Sequence, residues 1–380
     1  MCIDVICLPG VRITLEKATN PVLLKDCFNE ASVQSIAELF HDLHPSFNTA
    51  QFLRAVFVAE WQAMELKQRM RHITNALGIH LDLPYVSALP LVVSVAQRVK
   101  GLVGMVFPDF IQVFGIEHPD ESIPALAEVT SCFSSEFAVR PFLERFTHRM
   151  EAQMINWAEH KSEHVRRLAS EGMRPRLPWA QPLRTYIAEP APVIRVLEKL
   201  KYDTSDYVRT SVANNLNDIS KDHPDVIRSL AARWLSESNA QERLLRKACR
   251  TLLKQGDREV LSLFGEAPSA ELSCDSISVD ADSITIGQQV TIRARVVNCS
   301  ETPSQYRLEY AIHFVKANGS GSRKVFAWKR GLVDKHASLL CKSVIRFQHF
   351  STRKLYPGLH EVEILLNGSS VGKLHVSLHR

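Results

Sequence analysis

The sequence has few of the features that mark common reaction chemistries. Its 8 cysteines (Cys2, Cys7, Cys27, Cys132, Cys249, Cys274, Cys299 and Cys341) form no Cys-x-x-Cys pair and no Cys/His set at metal-ligand spacing, and its 15 histidines are dispersed. Thiols scattered in this way suit a reducing compartment, so a cytoplasmic location is expected, with no disulfide framework and no metal. A Gly-rich phosphate loop, an HExxH pair and a nucleophile elbow are all missing, which argues against nucleotide, zinc-hydrolase and acyl-transfer chemistry. Long apolar runs are also missing. The longest, Tyr85 to Ala96, is interrupted by Pro90, and the N-terminal apolar stretch is broken by Asp4 and Pro9. Neither a membrane span nor a secretory signal is expected.

What is present is an average globular composition, 45% hydrophobic and 23% charged, in 380 residues. That length exceeds one core, and two main domains are expected. The charge is unevenly divided between them. Residues 271–380 hold 15 Lys and Arg against 9 Asp and Glu, whereas the rest of the chain holds 31 against 32. A basic C-terminal part suits a polyanionic partner, although a solvated surface accounts for such an excess equally well.

From Asn20 to Gly265 the apolar spacing is helical, with three-and-four steps such as Val208, Val212, Leu216 and Leu244, Ala248, Leu252. Helix ends are expected at Leu43-His-Pro, Gly78 and Gly256. A repeat is visible as well. Glu163-His-Val-Arg-Arg-Leu-Ala aligns with Asp206-Tyr-Val-Arg-Thr-Ser-Val at a period of 43, and a degenerate third copy begins near Leu244. That period predicts HEAT-like helix pairs with Val inward and Arg on the exposed face, stacked as a right-handed solenoid with one concave surface. After Pro268 the period becomes two. Residues Val290 to Val297 and His360 to Leu366 alternate as strands, the second turning at Asn367-Gly368 into Val371 to Val376. About seven short strands predict an immunoglobulin-like sandwich. The expected architecture is therefore α + β multidomain: an extension over 1–18, a HEAT-like α-helical solenoid over 19–268 and an immunoglobulin-like β-sandwich over 269–380.

Several positions are candidates for chemistry, and each has an ordinary alternative. Glu136, after Ser134-Ser135, is either a helix-start acid or a carboxylate aimed into the groove. The stretch Ser162 to Trp179 carries Arg166, Arg167, Arg174 and Arg176 and ends in a tryptophan between Pro178 and Ala180. Arginines grip phosphates and an indole offers a π-face to a base or cation, whereas a charged helix with a packed loop Trp is the bland reading. Asn214, Asn215, Asn217 and Asp218 read either as a helix cap or as groove residues one repeat later. Arg140 and Arg209 join the candidate DNA contacts by position and charge. In the sandwich, Lys324, Trp328, Lys329 and Arg330, next to Asn318-Gly-Ser-Gly-Ser, place basic and aromatic residues near an expected loop and suggest a DNA clamp rather than a protein docking module, or a strand with a solvated charged face.

The segments Val-Arg-Arg-Leu-Ala-Ser-Glu-Gly-x-Arg-Pro-Arg-Leu-Pro-Trp and Val-Arg-x-x-Val-Ala-Asn-Asn-Leu-Asn-Asp-Ile-Ser-Lys resemble the AlkC branch of the AlkD-like alkylpurine DNA glycosylases over nearly all of residues 20–265. The added sandwich resembles branch members with an immunoglobulin-like C-terminal domain. This resemblance implies a monofunctional base-excision-repair hydrolase acting on double-stranded DNA. It implies release of cationic 3-methyladenine and 3-methylcytosine without flipping the base into a deep pocket, in contrast to the usual route. By the same resemblance Glu136 is the main catalytic carboxylate, Asp218 positions water or stabilises the sugar cation, and Trp179 makes a cation–π contact. Arg167 and Glu171 support the site, Arg167 through a phosphate. No cofactor, metal or membrane partner is implied, and a monomer at the bacterial nucleoid is expected. The competing expectation is a non-catalytic HEAT scaffold that binds DNA or protein.

Overall fold

A computed structural model describes residues 23–350 and 353–380, so the extension expected over 1–18 lies outside the described residues. Among them the first part is helical throughout: α1 (Glu30–Leu43), α2 (Thr49–Val56), α3 (Leu66–Leu81), α4 (Tyr85–Ala96), α5 (Val106–Gly115), α6 (Pro119–Val129), α7 (Val139–Arg145) and α8 (Thr147–Trp157). It continues with α9 (Glu163–Glu171), α10 (Arg184–Ala188), α11 (Ala191–Leu200), α12 (Asp206–Ile219), α13 (Pro224–Leu235), α14 (Glu242–Ala248), α15 (Arg250–Gln255) and α16 (Arg258–Leu263). No helix of the described residues is long and apolar enough to cross a membrane.

Local chemistry explains the boundaries. Asn29 caps α1 by accepting from Ser32 N–H while Ser32 Oγ accepts from Asn29 N–H, and α1 stops at Leu43 before His44-Pro45. Gly256, at φ 76°, closes α15 in the left-handed conformation that favours glycine. Gly78 does not end a helix as expected but lies inside α3. A Cβ there would fall 2.2 Å from Phe114 Cζ, so the residue is small because the aromatic ring of α5 crosses it.

The repeat is present in the structure. α9 and α12 begin at the two aligned segments and pack on each other, and α14 begins beside the third. Val165 and Val208 are buried as the repeat predicts. The chain divides into two compact units between Asp222 and His223. The first unit is built from α1 to α12, in which most helices pack on the next in sequence and α3 on α5, α4 on α6 and α9 on α12 pack across one or more intervening helices.

The second unit combines α13–α16 with eight strands: β1 (Leu272–Val279), β2 (Ser283–Thr285), β3 (Gln289–Asn298), β4 (Ser304–Val315), β5 (Gly321–Val333), β6 (Ser338–Arg346), β7 (Gly358–Leu366) and β8 (Ser369–His379). They form sheets of order β1-β3-β6 and β2-β8-β7-β4-β5, antiparallel except for the short β2 beside β8. Alternate residues Val290, Ile292, Ala294 and Val296 of β3 meet Leu308 and Ile312 of β4 and Val362 and Ile364 of β7 in one apolar core. Asn367 and Gly368 take φ 47° and 76° and turn β7 into β8 as expected.

The basic segment of the sandwich lies in edge strand β5, next to the loop that joins it to β4. The hairpin loop spans residues 316–320, closed by Gly319 N–H donating to the Lys316 carbonyl at 2.9 Å. A bulge at Trp328 sets Lys329 opposite Leu308 and Ala327 opposite Glu309. Lys324, Lys329 and Arg330 are exposed, whereas Trp328 is half-buried, packs on the core and meets Tyr310 edge-on at 6.3 Å. A side chain held in this way is not a free stacking platform.

Candidate active site

Glu136 sits in the turn between α6 and α7. Ser135 ties that turn to α6: its Oγ donates to the Leu126 carbonyl at 2.8 Å and its N–H to Thr130 Oγ1 at 3.2 Å. α7 itself starts only at Val139, so Glu136 precedes the helix. The side chain is 9% exposed and accepts from Ser134 Oγ at 2.8 Å and from Arg167 in a close ion pair, while Arg167 also donates to Ser134 Oγ at 2.7 Å.

From Glu136 a chain of alternating charges runs across two repeats. Arg167 reaches Glu171 at 3.4 Å one helical turn further along α9. Glu171 accepts from Arg174 at 2.7 Å and, on its other oxygen, from Ser211 Oγ of α12 at 2.5 Å. Arg174 Nε then donates to Asp218 at 2.8 Å, and Lys221 donates to the second oxygen of Asp218 at 3.1 Å. Glu171, Arg174 and Asp218 are 5%, 7% and 2% exposed, so these charges survive only by pairing. Burial alone pushes the Glu171 carboxyl up, but Arg167, Arg174 and the Ser211 hydroxyl outweigh it and hold the group below its usual range. Burial likewise works against the Arg167 cation, yet Glu136 and Glu171 keep it firmly charged. The Arg167 guanidinium lies 5.1 Å from the ring centre of Tyr207. The two residues that resemblance assigns to catalysis, Glu136 and Asp218, are thus the two acidic ends of one buried network.

Trp179 belongs to the strap after α9. Its indole is 53% exposed and its backbone is left-handed at φ 65°. The strap closes on itself through Leu183 N–H to the Pro175 carbonyl at 3.0 Å and Ala180 N–H to Leu177 at 3.2 Å. Beside it a cleft of about 940 Å³ is lined by Lys67, Arg71, Asp109, Phe137, Arg140 and Trp179 among others.

Other candidates lie elsewhere or are already engaged. Arg140 is 5% exposed and donates to the carbonyls of Gly172, Arg174 and Gln181 at 3.1, 2.8 and 2.6 Å, so it braces the strap while lining the cleft. Burial pushes its guanidinium down to about 10, so it stays charged while acting as a brace. Arg166 forms a two-pronged pair with Asp203 at 2.5 and 3.0 Å, and Arg176 does so with Asp222 at 2.9 and 2.7 Å. Arg209 bonds Asp206 and the Asp203 carbonyl. Asn215, Asn217 and Asp218 are not a solvated cap but lie buried within α12, where Asn215 Nδ2 donates to the Ser170 carbonyl at 2.7 Å.

Sequence reasoning missed Lys67, Ser134, Ser211, Tyr207 and Lys221. Ser211 aligns with Leu168 in the repeat, so the register alone marked a polar residue at an inward position. Lys67, on α3, carried no signal.

Comparison with known proteins agrees with this architecture. Residues 273–380 match the family described as the C-terminal immunoglobulin-like domain of uncharacterised protein YhaZ. The chain is 40% identical to uncharacterized protein YhaZ of Bacillus subtilis (strain 168), covering 91% of this chain and 96% of that one. It is also similar to the Pseudomonas fluorescens alkylpurine DNA glycosylase AlkC, solved bound to DNA containing an abasic site analog, at a TM-score of 0.91 and 34% identity over 94% of this chain and 100% of the other. With identity of that order along nearly the whole length, and with both the helical body and the sandwich shared, this chain belongs to the AlkC family of alkylpurine DNA glycosylases.

Proposed function

We propose that the chain is a base-excision-repair glycosylase that hydrolyses the N-glycosidic bond of cationic alkylated bases, such as 3-methyladenine and 3-methylcytosine, in double-stranded DNA. It does so as a monofunctional, monomeric enzyme without metal or cofactor. The observation that carries this reading is the buried chain Glu136–Arg167–Glu171–Arg174–Asp218, acidic at both ends, together with the exposed indole of Trp179 on a cleft that reaches Phe137, next to Glu136.

An N3-methylated base carries its positive charge before reaction. When the C1′–N bond breaks, its electron pair returns to the base, which leaves neutral and needs no acid. The positive charge passes to the deoxyribose as an oxocarbenium ion. Glu136, fixed by Arg167 and Ser134, is the preorganised negative charge that stabilises it. Asp218, oriented by Arg174, holds the water that adds to C1′ and takes its proton, leaving an abasic sugar and a free base. Trp179 meets the cationic nucleotide through its π-face, and an exposed indole suits a nucleotide that stays within the duplex. Arg167 acts here mainly as the counter-ion of Glu136, with any phosphate contact secondary. Arg166, Arg176 and Arg209, each paired with an aspartate in the free protein, serve as backbone contacts with their remaining donors, and Lys324, Lys329 and Arg330 add a second basic surface.

The test is Glu136→Gln. Single-turnover release of 3-methyladenine from a defined duplex is expected to fall by about 10²–10³-fold while affinity for that duplex changes little. Undiminished release would remove Glu136 from the mechanism.

A further inference from the structure

The strap that carries Trp179 is fastened at three places by one side chain and at its apex by another. Arg140 of α7 donates to the Gly172 and Arg174 carbonyls at the strap's start and to the Gln181 carbonyl at its end. At the apex Lys67 of α3 donates to the carbonyl of Trp179 itself. That apex is where the fastening is needed, since Trp179 has φ 65°, a conformation an L residue seldom adopts without external support.

Lys67 also reaches the other half of the site. Its ammonium lies 4.1 Å from the ring centre of Phe137, the residue next to Glu136; burial holds it below the usual lysine range, with Asp109 and Glu136 offsetting part of that. Asp109 is held by Arg71, one turn along α3, at 2.7 and 2.8 Å. One half-buried lysine therefore touches both the turn that presents the carboxylate and the loop that presents the indole.

We propose that Lys67 is a positioning residue for Trp179: by holding the apex carbonyl against the Phe137 side of the cleft, it fixes the indole at a set place relative to Glu136. This rests on the reading that Trp179 holds the lesion nucleotide. Fixing the ring beforehand removes the entropy cost of ordering the strap when DNA binds, so Lys67 acts on affinity through Trp179 rather than by touching DNA.

The experiment is a double-mutant cycle on the full chain. Equilibrium affinity for a duplex carrying a stable lesion analogue and single-turnover release from an alkylated duplex are measured for wild type, Lys67→Met, Trp179→Ala and the double variant. Lys67→Met is expected to weaken binding and raise half-saturation about tenfold, as a displaced cation–π contact would, with the maximal rate changed much less. In the Trp179→Ala background the same change is expected to do nothing, and Lys67→Arg, which keeps a donor for the carbonyl, should restore the grip. The dependence of affinity on salt should be unaltered. An equal loss in both backgrounds, or a salt slope reduced by about 0.9, would make Lys67 a phosphate contact and overturn the proposal. If Lys67→Met does not fold, Lys67→Gln enters the same cycle with the same outcomes. Should the wild type release no base, the glycosylase reading fails, while the affinity cycle still decides the role of Lys67.

Discussion

At the scale of single residues, Glu171 shows how the network holds its charge. It is buried between two guanidiniums and a hydroxyl, and removing its charge leaves Arg167 and Arg174 short of a counter-ion inside the protein. Breaking such a buried arrangement costs about 3–5 kcal/mol, so Glu171→Gln should be strongly destabilising at neutral pH. The pH dependence follows from the direction of the shift. The folded carboxyl titrates below its usual value, so its contribution is fully present above the unfolded pKa of about 4.3 and is lost as pH falls through the lower folded value. The stability gap between wild type and Glu171→Gln, measured by urea unfolding, should hold steady from pH 7 to about 5 and narrow below about 4. A gap that widens on acidification would mean that Glu171 is not the charged centre of the network. Trp179 and Asp218 stand in the two long motifs of the sequence, whereas Glu136 stands outside them and is marked only by its place after Ser134-Ser135 and by the resemblance. What the motifs could not convey is that Arg167 and Arg174 spend their donors on those acids, because i to i+4 spacing shows the Arg167–Glu171 contact but not one that spans 31 or 44 residues.

At the scale of elements, the close approach of the end of α9 to Val139 of α7 depends on a glycine whose φ is unexceptional. Gly172 follows α9 in ordinary helical geometry, but a Cβ there would lie 2.6 Å from Val139 Cγ1, which is fully buried in α7. Gly172→Ala would gain helix propensity and still be expected to lose about 1–3 kcal/mol to overpacking. Because α7 follows directly on the Glu136 turn and carries the Arg140 brace, base release should fall together with the melting temperature; a stabilised, fully active variant would show that α7 can yield without moving the turn. The helical and strand periods were readable in the sequence because they are local, as the starts of α9, α12 and β3 show. The burial of Asn215 and the place of Gly78 inside α3 were not, since each is decided by a partner on another element, the Ser170 carbonyl in one case and the Phe114 ring in the other.

At the scale of the whole molecule, the change from helix to strand falls between α16 and β1, as the change of period at Pro268 indicates, yet compactness divides the chain earlier, at Asp222/His223. Nothing in the periods reveals that the last helices group with the sandwich, because the joint is made largely by polar and backbone contacts, with Leu261 of α16 against Gly368 as an apolar one. Glu266, 1% exposed, takes Arg246 at 2.6 Å and faces Arg307 of β4 at 3.9 Å. Asn367 donates to the Ala267 carbonyl at 3.1 Å and accepts from Arg307 N–H at 2.7 Å, and Gly368 lies against Gly256 so closely that a Cβ would meet it at 2.9 Å. A fragment of residues 223–380 should therefore unfold in one transition. A fragment of 269–380, which leaves Arg307 and Asn367 short of partners, should be less stable by about 1–3 kcal/mol, or roughly 5–15 °C in melting temperature. It follows that truncation at 268 is a poor test of whether the sandwich binds DNA, since it removes part of the joint together with the basic surface. Replacing Lys324, Lys329 and Arg330 by glutamine leaves the joint intact and alters only exposed positions of β5. If that edge meets phosphates, the slope of log affinity against log salt should become shallower by about 0.9 for each phosphate no longer neutralised, so the variant binds more weakly at low salt and converges on wild type as salt rises. A weakening of equal size at every salt concentration would mean that β5 meets DNA by shape and not by charge, and unchanged binding would remove this edge from the DNA interface.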